Sequence, residues 1–155
     1  MKTSAGLLLY RIHQNEMQVF LVHPGGPFWK NKDLGAWSIP KGEFTDEDPL
    51  KAACREYEEE TSFSIAGPFV ALVPVKQSDK KTVYAWAVPA DCNPSSVRSN
   101  NYQMEWPTGS GKLGSFPEVD RAGWFSIPMA RIKILKGQDP LLDQLEELYK
   151  SDQLP

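Results

Sequence analysis

The sequence of 155 residues has few cysteines and histidines, no long apolar run and no large excess of charge of either sign. Its two cysteines, Cys54 and Cys92, cannot build a disulfide framework, and no Cys/His spacing indicates a zinc site. No apolar stretch approaches the ~20 residues that span a bilayer, and residues 6–10 are too few for a signal-peptide core. We therefore expect a cytoplasmic protein that does not enter a membrane.

The charge balance narrows the classes of partner. Seventeen Lys and Arg residues against twenty Asp and Glu residues leave a net charge of -3. This balance argues against stable nucleic-acid binding, although it is compatible with a local basic patch. With 41% apolar residues, the length favours one folded domain over residues 1–155. The sequence leaves open whether this domain forms a homodimer.

Strand-like and helix-like segments alternate along the chain, which predicts an α/β (α+β) fold with a mixed β-sheet. Strands are predicted over residues 3–11, 17–23, 36–39, 69–75, 82–88 and 122–125. Helices are predicted over residues 50–60, 127–135 and 140–149. Residues 91–118 are rich in Pro, Ser, Gly and Asn, so they are predicted to form a long loop of the functional or disordered kind.

The first helix is unusually acidic. Asp48 is a suitable N-cap and Pro49 suits the first helical position. At about 100° per residue, Glu56, Glu59 and Glu60 lie on one face. Like charges one turn apart destabilise a helix by about 0.2–0.5 kcal/mol, and the macrodipole disfavours anions near the C-terminus. The pattern indicates a site for a hard divalent cation, with a solvated acidic surface as the alternative.

The turn before this helix strengthens the case for a binding site. Pro40-Lys41-Gly42-Glu43 follows the end of a predicted strand. Gly42 allows close approach of the backbone to a ligand, and Lys41 supplies a positive charge beside the glutamates. Taken alone, this segment is an ordinary turn at a strand end, and its spacing to the glutamates favours function.

Residues 37–63 resemble the signature of the Nudix hydrolases. In that signature a glycine and a glutamate precede Arg-Glu, which is followed by an apolar residue, Glu-Glu, a glycine and an apolar residue. The segment Arg55-Glu56-Tyr57-Glu58-Glu59-Glu60-Thr61 matches the central part, and counting back seven residues from Arg55 places the first glutamate at Glu47. Counting from Gly42 reaches Asp48 instead, because the intervening loop is short.

A second departure from the signature is Ser62, which replaces its last glycine. A serine that keeps a left-handed conformation at the helix end costs about 1–2 kcal/mol, and the alternative is a rebuilt helix exit.

The resemblance implies a Nudix-like α/β/α sandwich and a definite chemistry. It implies hydrolysis of a pyrophosphate bond in a nucleoside diphosphate linked to another group, with Mg²⁺ or Mn²⁺ as the cofactor. The substrate is expected to be nucleotide-like, such as a nucleoside triphosphate or a dinucleoside polyphosphate. The implied metal ligands are Glu47, Glu56, Glu59, Glu60 and the carbonyl of Gly42.

Other roles follow from the same resemblance. Either Glu56 or Glu59 is implied as the general base, Arg55 as the residue that orients a carboxylate, and Lys41 as a phosphate ligand. Family members often add an acid from a distant loop, and Glu118 is our candidate, with a surface residue as an equally weighted alternative.

The sequence indicates the substrate-binding residues less clearly than the candidate metal ligands. Phe28, Trp29, Tyr102 and Trp106 lie in predicted loops, where an aromatic face could stack on a base, although each alone is more often a packing residue. Lys112, and with it Arg98, could reach phosphates from the long loop.

Two further hypotheses remain at this point. The shortened loop after Gly42 and the presence of Ser62 are compatible with a non-catalytic Nudix-like module that binds nucleotides or regulates a partner. The acidic helix could also be a surface that binds another protein.

Overall fold

Two long antiparallel strands, β1 (Lys2–His13) and β2 (Glu16–Pro24), open the fold. In this computed structural model, which describes residues 1–155, the strands meet at a tight turn where Gln14 and Asn15 have positive φ. Leu7, Leu8 and Leu9 of β1 are all buried. Such a continuous apolar run fits a strand that is covered on both faces.

The sheet is mixed, as predicted. The further strands are β3 (Lys41–Glu43), β4 (Val70–Ala71), β5 (Val75–Ser78), β6 (Lys81–Pro89), β7 (Asn101–Glu105), β8 (Leu113–Pro117) and β9 (Val119–Ser126). Strand β1 pairs in parallel with β6 and antiparallel with β2 and β3. Strand β9 lies next to β2 at one side of the sheet, and both β4 and β5 pair with β6 at the other side. Strands β7 and β8 form a separate hairpin.

Three helices cover the two faces of the large sheet. They are α1 (Pro49–Thr61), α2 (Ile127–Lys133) and α3 (Asp139–Lys150), accompanied by 3-10 turns at Pro94–Ser96 and Lys136–Gln138. Leu7 and Leu9 pack in one cluster with α1, while Leu8 packs in a second cluster with α2 and α3. Because side chains alternate along a strand, β1 supplies both cores. The predicted α/β/α sandwich is confirmed, and no helix is both long and apolar enough to cross a membrane.

Two predicted strands differ in the structure. Residues 36–39 form only isolated bridges, because Trp37 exchanges hydrogen bonds with Lys133 and Leu135 at the end of α2 instead of with a full strand. The segment predicted as one strand over 69–75 is divided into β4 and β5, with Pro74 between them. Proline lacks the N–H group that a continuous ladder requires.

The predicted long loop over residues 91–118 contains the β7–β8 hairpin, so the prediction was wrong for this part. Tyr102 lies opposite Phe116 across the hairpin, and the two rings are 6.1 Å apart between centroids. Half-buried and exposed residues alternate along both strands. This alternation is short and the turn is rich in Gly and Pro, which hides the hairpin in the sequence.

Candidate functional site

Helix α1 begins and packs as its sequence predicts. The side chain of Asp48 accepts a hydrogen bond from the backbone N–H of Lys51 at 3.1 Å, and Pro49 is the first helical residue. Ala53 and Tyr57 are buried against the sheet. This packing fixes the rotation of the helix about its axis, so Glu56 lies against Gly42 of β3 and Glu60 contacts Lys41 of the same strand.

Three carboxylates from two parts of the chain converge beside this helix. Ligand oxygens of Glu56, Glu60 and Glu118 all lie within 4.8 Å of one another. The backbone of Glu118 is held between strands, since its N–H donates to Asn100 at 2.8 Å and its carbonyl accepts from Gly25 at 3.1 Å. The candidate acid from a distant loop therefore lies next to two of the helix glutamates.

The electrostatics of this cluster favour a bound cation. Burial raises the pKa of Glu60 well above its ordinary value, and the charge of Glu56 raises it further, although the Lys41 backbone N–H donates to Glu60 at 3.1 Å. Burial, followed by the charge of Glu59, raises the pKa values of Glu56 and Glu118. Three ionised carboxylates this close repel one another, and a divalent cation that prefers oxygen ligands would remove that repulsion. The residues present therefore fit Mg²⁺ or Mn²⁺.

Gly42 makes room for the cluster. A Cβ atom at this position would lie less than 3.0 Å from the carboxylate atoms of Glu56. Gly42 pairs with Ala5 in the β1–β3 ladder, so its backbone cannot easily move away. The absence of a side chain at residue 42 is what allows the Glu56 carboxylate to occupy its place.

Arg55 forms hydrogen bonds with three carboxylates, one of which belongs to the converging group. Its Nε and Nη2 atoms bind the Glu47 carboxylate at 3.0 and 2.8 Å, and Nη1 lies 3.0 Å from Glu56 and 3.2 Å from Glu59. This ion pair lowers the pKa of Glu47. Glu47 and Glu59 thus lie on the Arg55 side, outside the group of three converging carboxylates, and their role as metal ligands stays a prediction.

The two departures from the signature have clear structural outcomes. Asp48 serves as the helix N-cap while Glu47 pairs with Arg55, and the assignment of Glu47 as the signature glutamate stays a prediction. Ser62 has a φ of 69° and keeps the left-handed conformation at the end of α1. Its Oγ donates a hydrogen bond to the carbonyl of Arg98. The helix exit is therefore retained, not rebuilt.

A cavity of about 260 Å³ adjoins the carboxylate cluster. Its polar lining residues include Lys41, Gln77, Lys81, Glu60 and Glu118, and most of the remaining wall is apolar. Burial lowers the pKa of Lys41, and the positive charge of nearby Lys81 lowers it further. An anionic group in the cavity would be attracted by the positive charges of both lysines.

An outer cleft shares one wall with this cavity. The shared residues include Trp29, Lys41, Glu60 and Glu118, and the cleft also contains Gly42 and Glu56. A ligand could therefore extend from the carboxylates in the cleft into the inner cavity without leaving the surface of the protein.

Of the residues predicted to bind the substrate, some line the cavity or the cleft and others do not. Trp29 lines both the cavity and the cleft, and Tyr102 lines the cleft while its hydroxyl donates to the carbonyl of Gly25 at 2.9 Å. Trp106 packs on Phe28 with ring centroids 5.3 Å apart, and neither it nor the exposed Lys112 lines the cavity or the cleft.

The sequence did not indicate two polar residues that line the cavity, Gln77 and Lys81. Both residues lie between the predicted strands over 69–75 and 82–88, and in the structure they belong to the strands of the β5–β6 hairpin. Only the pairing of that hairpin with the rest of the sheet brings them to the cavity, and neither lies in a recognisable motif.

Comparison with known proteins identifies the domain. A family model described as the NUDIX domain matches residues 2–145. No curated protein matches the chain significantly in sequence.

Solved structures share the fold across nearly the whole chain. A Caenorhabditis elegans Ap4A hydrolase in a binary complex has a TM-score of 0.67 at 20% identity, and the match covers 97% of this chain and 99% of that one. The Escherichia coli ORF135 protein has a TM-score of 0.66 at 16% identity, covering 100% and 95%. The NUDIX domain of Shewanella oneidensis NrtR, complexed with ADP ribose, has a TM-score of 0.63 at 16% identity, covering 95% and 87%.

Proposed function

This chain belongs to the Nudix family of pyrophosphohydrolases, and we propose that it uses Mg²⁺ or Mn²⁺ to hydrolyse a pyrophosphate bond in a nucleoside diphosphate linked to another group. The observation that supports this proposal is the convergence of Glu56, Glu60 and Glu118 within 4.8 Å. The cluster opens onto a cavity that carries Lys41. Oxygen ligands and a neighbouring cationic side chain are the groups that a polyphosphate with its metal requires.

The metal would be held by Glu56, Glu60 and Glu118, and Gly42, which lines the same cleft, is proposed to add its carbonyl as a further ligand. When bound, the cation would neutralise phosphate oxygens and make a water molecule more acidic. Lys41 would bind a phosphate oxygen, and Arg55 would orient Glu56 through its 3.0 Å contact. The general base would be Glu59, or Glu56 if its carboxylate accepts the proton of the attacking water instead of holding the metal.

Comparison with structures supports a nucleotide-like substrate. The matching folds include an Ap4A hydrolase and a NUDIX domain crystallised with ADP ribose. We propose that this chain takes a nucleoside triphosphate or a dinucleoside polyphosphate. The retained carboxylates and the retained helix exit at Ser62 favour hydrolysis over the alternative of a non-catalytic nucleotide-binding module.

A substrate panel with matched variants tests the proposal. Nucleoside triphosphates, dinucleoside polyphosphates and nucleotide sugars would be incubated with Mg²⁺ or Mn²⁺, and the phosphate-containing products would be identified by mass spectrometry. Glu60→Gln is expected to lower kcat by at least about 100-fold, because it removes a ligand charge from the cluster. Glu58→Gln is the control, since Glu58 lies on the same helix and is exposed.

Thermal unfolding tests metal binding separately from catalysis. Mg²⁺ or Mn²⁺ should raise the Tm of the parent and of Glu58→Gln more than that of Glu60→Gln. Turnover that continues at the parental rate in Glu60→Gln, or in the presence of a chelator, would contradict the proposal.

A further inference from the structure

Gln77 occupies an irregular position in the β5–β6 hairpin. In the strand register, Lys76 pairs with Thr82 and Ser78 pairs with Lys81, so Gln77 is the extra residue of a β-bulge. Bulges re-aim a side chain and are common next to active sites. The turn that contains Gly137 packs closely against the bulge, because a Cβ atom at Gly137 would overlap the Gln77 carbonyl. The backbone of Gln77 is therefore fixed from two sides.

A hydrogen-bond relay also fixes the side chain of Gln77. The backbone N–H of Ile39 donates to Oε1 of the buried Gln138 at 3.0 Å, which identifies that atom as the oxygen. Nε2 of Gln138 must then be the donor, and it lies 2.9 Å from both Gln77 Oε1 and Ser38 Oγ. Since the Ser38 hydroxyl donates to the Ile39 carbonyl at 2.7 Å, it can accept from Gln138. One backbone N–H thus sets the orientation of both glutamine amides.

The relay leaves one group without a protein partner. Oε1 of Gln77 accepts from Gln138, and the Nε2 donor of Gln77 makes no hydrogen bond to the protein. This nitrogen is not fully buried, so solvent or a ligand can reach it. Gln77 lines the inner cavity together with Lys41 and Lys81. All three side chains present N–H donors, whereas the apolar wall that includes Trp29 suits a flat ring.

We propose that Gln77 determines specificity by donating a hydrogen bond to an acceptor oxygen of the substrate group in the inner cavity. The acceptor is a carbonyl oxygen of a base or an oxygen of a phosphoryl group. Gln138 is the positioning residue, because it holds the amide of Gln77 in the donating orientation without lining the cavity. This inference rests on the proposed function for the nucleotide nature of the ligand.

Isothermal titration calorimetry with four nucleotides and pyrophosphate tests the inference, with MgCl₂ in every titration. UMP and CMP, like IMP and AMP, differ in a carbonyl oxygen against an amino group on the base. If the acceptor is a base carbonyl, at least one pair is expected to show about tenfold tighter binding of the carbonyl form. If the acceptor is a phosphoryl oxygen, the pairs bind equally, and pyrophosphate is the ligand whose affinity depends on Gln77.

Variants of Gln77 separate these outcomes. Gln77→Met removes the donor at similar size, and it should abolish the preference or weaken pyrophosphate binding about tenfold. Gln77→Glu keeps an acceptor for Gln138 but presents a second oxygen to the cavity. It should reverse the preference toward CMP or AMP, or weaken pyrophosphate binding more than Gln77→Met does. Lys76→Met is the control in the same hairpin, and it should leave the ratio within each nucleotide pair unchanged.

Gln138→Met tests the relay itself. It should reduce the preference, or the pyrophosphate affinity, toward the level of Gln77→Met although residue 138 does not line the cavity. Thermal unfolding would show that each variant is folded at the temperature of the titration. A purely structural role for these glutamines would lower Tm without changing the ratio within a pair or the pyrophosphate affinity.

Two results would overturn the inference. One is that both Gln77 variants bind all five ligands as the parent does. The other is that the parent shows a preference that Gln77→Met and Gln77→Glu retain. Either result leaves the proposed hydrolysis intact if the substrate panel yields products. Conversely, the expected binding pattern without any product from the panel would refute the hydrolysis and preserve the role of Gln77.

Discussion

Lys41 connects the two parts of the site through different atoms. Its backbone N–H donates to Glu60 at 3.1 Å, and the residue lines both the cavity and the cleft. Residues 41–43 pair with β1, which is the most central strand of the sheet. A residue on a paired strand is held more firmly than one on a free loop, so the backbone of Lys41 and the Glu60 carboxylate keep a fixed relation.

Gly42→Ala tests how closely the backbone must approach the carboxylate cluster. The added methyl group would overlap the Glu56 carboxylate and force it out of position. We expect kcat to fall about 100-fold, because a shift of about 1 Å in a catalytic group has effects of this size. The Mg²⁺-dependent rise in Tm should also become smaller.

Steady-state kinetics and thermal unfolding would measure both effects of Gly42→Ala. A variant with parental kcat and a parental response to Mg²⁺ would show that Glu56 does not need this space. A Tm close to that of the parent without metal would assign the loss to the site and not to the fold.

The end of helix α1 accommodates Ser62 at the position where the family signature has a glycine. Ser62 keeps the left-handed conformation that a glycine would adopt at lower cost, and its N–H bonds the Glu58 carbonyl at 2.7 Å. The hydroxyl adds a hydrogen bond to Arg98. The next backbone contacts, from Arg98 to Thr61 and from Asn100 to Glu59, join this helix end to the segment that leads to Glu118.

Substitution of Ser62 should separate the backbone cost from the hydrogen bond. Ser62→Ala keeps the unfavourable φ and loses the hydroxyl, whereas Ser62→Gly loses the hydroxyl but removes the backbone cost. We expect the free energy of unfolding of Ser62→Ala to be about 1–2 kcal/mol below that of Ser62→Gly. Urea denaturation at equilibrium measures the difference, and equal stabilities would mean that residue 62 leaves the left-handed region in the variants.

At the scale of the whole molecule, the carboxylate cluster links stability to pH. The pKa values of Glu56, Glu60 and Glu118 are raised above 4.5 by burial first and by neighbouring carboxylates second. A carboxyl group with a higher pKa in the folded state keeps its proton longer when folded. The folded state therefore loses stability as the pH rises from 4.5 through the raised values.

We expect the Tm of the metal-free protein to be lower at about pH 8 than at about pH 5.5. Glu60→Gln should reduce this difference, because it removes the carboxyl group whose pKa is raised well above 4.5. Added Mg²⁺ should raise the Tm more at the higher pH, where the carboxylates are ionised.

Thermal unfolding in a chelator and in MgCl₂ at both pH values measures these shifts. Glu47 and Asp33 have lowered pKa values, so they affect stability below this pH range. A metal-free Tm that is constant, or that rises with pH, would contradict the expected repulsion among the three carboxylates.

Local signals in the sequence predicted much of the fold. The apolar runs and the Asp48-Pro49 helix start give β1, β2 and α1 close to their observed bounds, and the predicted helix over 140–149 matches α3. The errors lie where a local pattern is weak, as in the short alternation of β7 and β8, or where pairing depends on distant partners, as for Trp37 and the end of α2.

By itself, the sequence determined the family and the acidic helix face, because helical spacing and a contiguous motif are local properties of the chain. The tertiary structure decided which carboxylates meet. It brings Glu118 to Glu56 and Glu60, leaves Glu47 and Glu59 with Arg55, and carries Gln77 and Lys81 to the cavity. These choices depend on the rotation of α1 on the sheet, on strand pairing and on a β-bulge. Such contacts join residues that are far apart in the chain, so no local pattern encodes them.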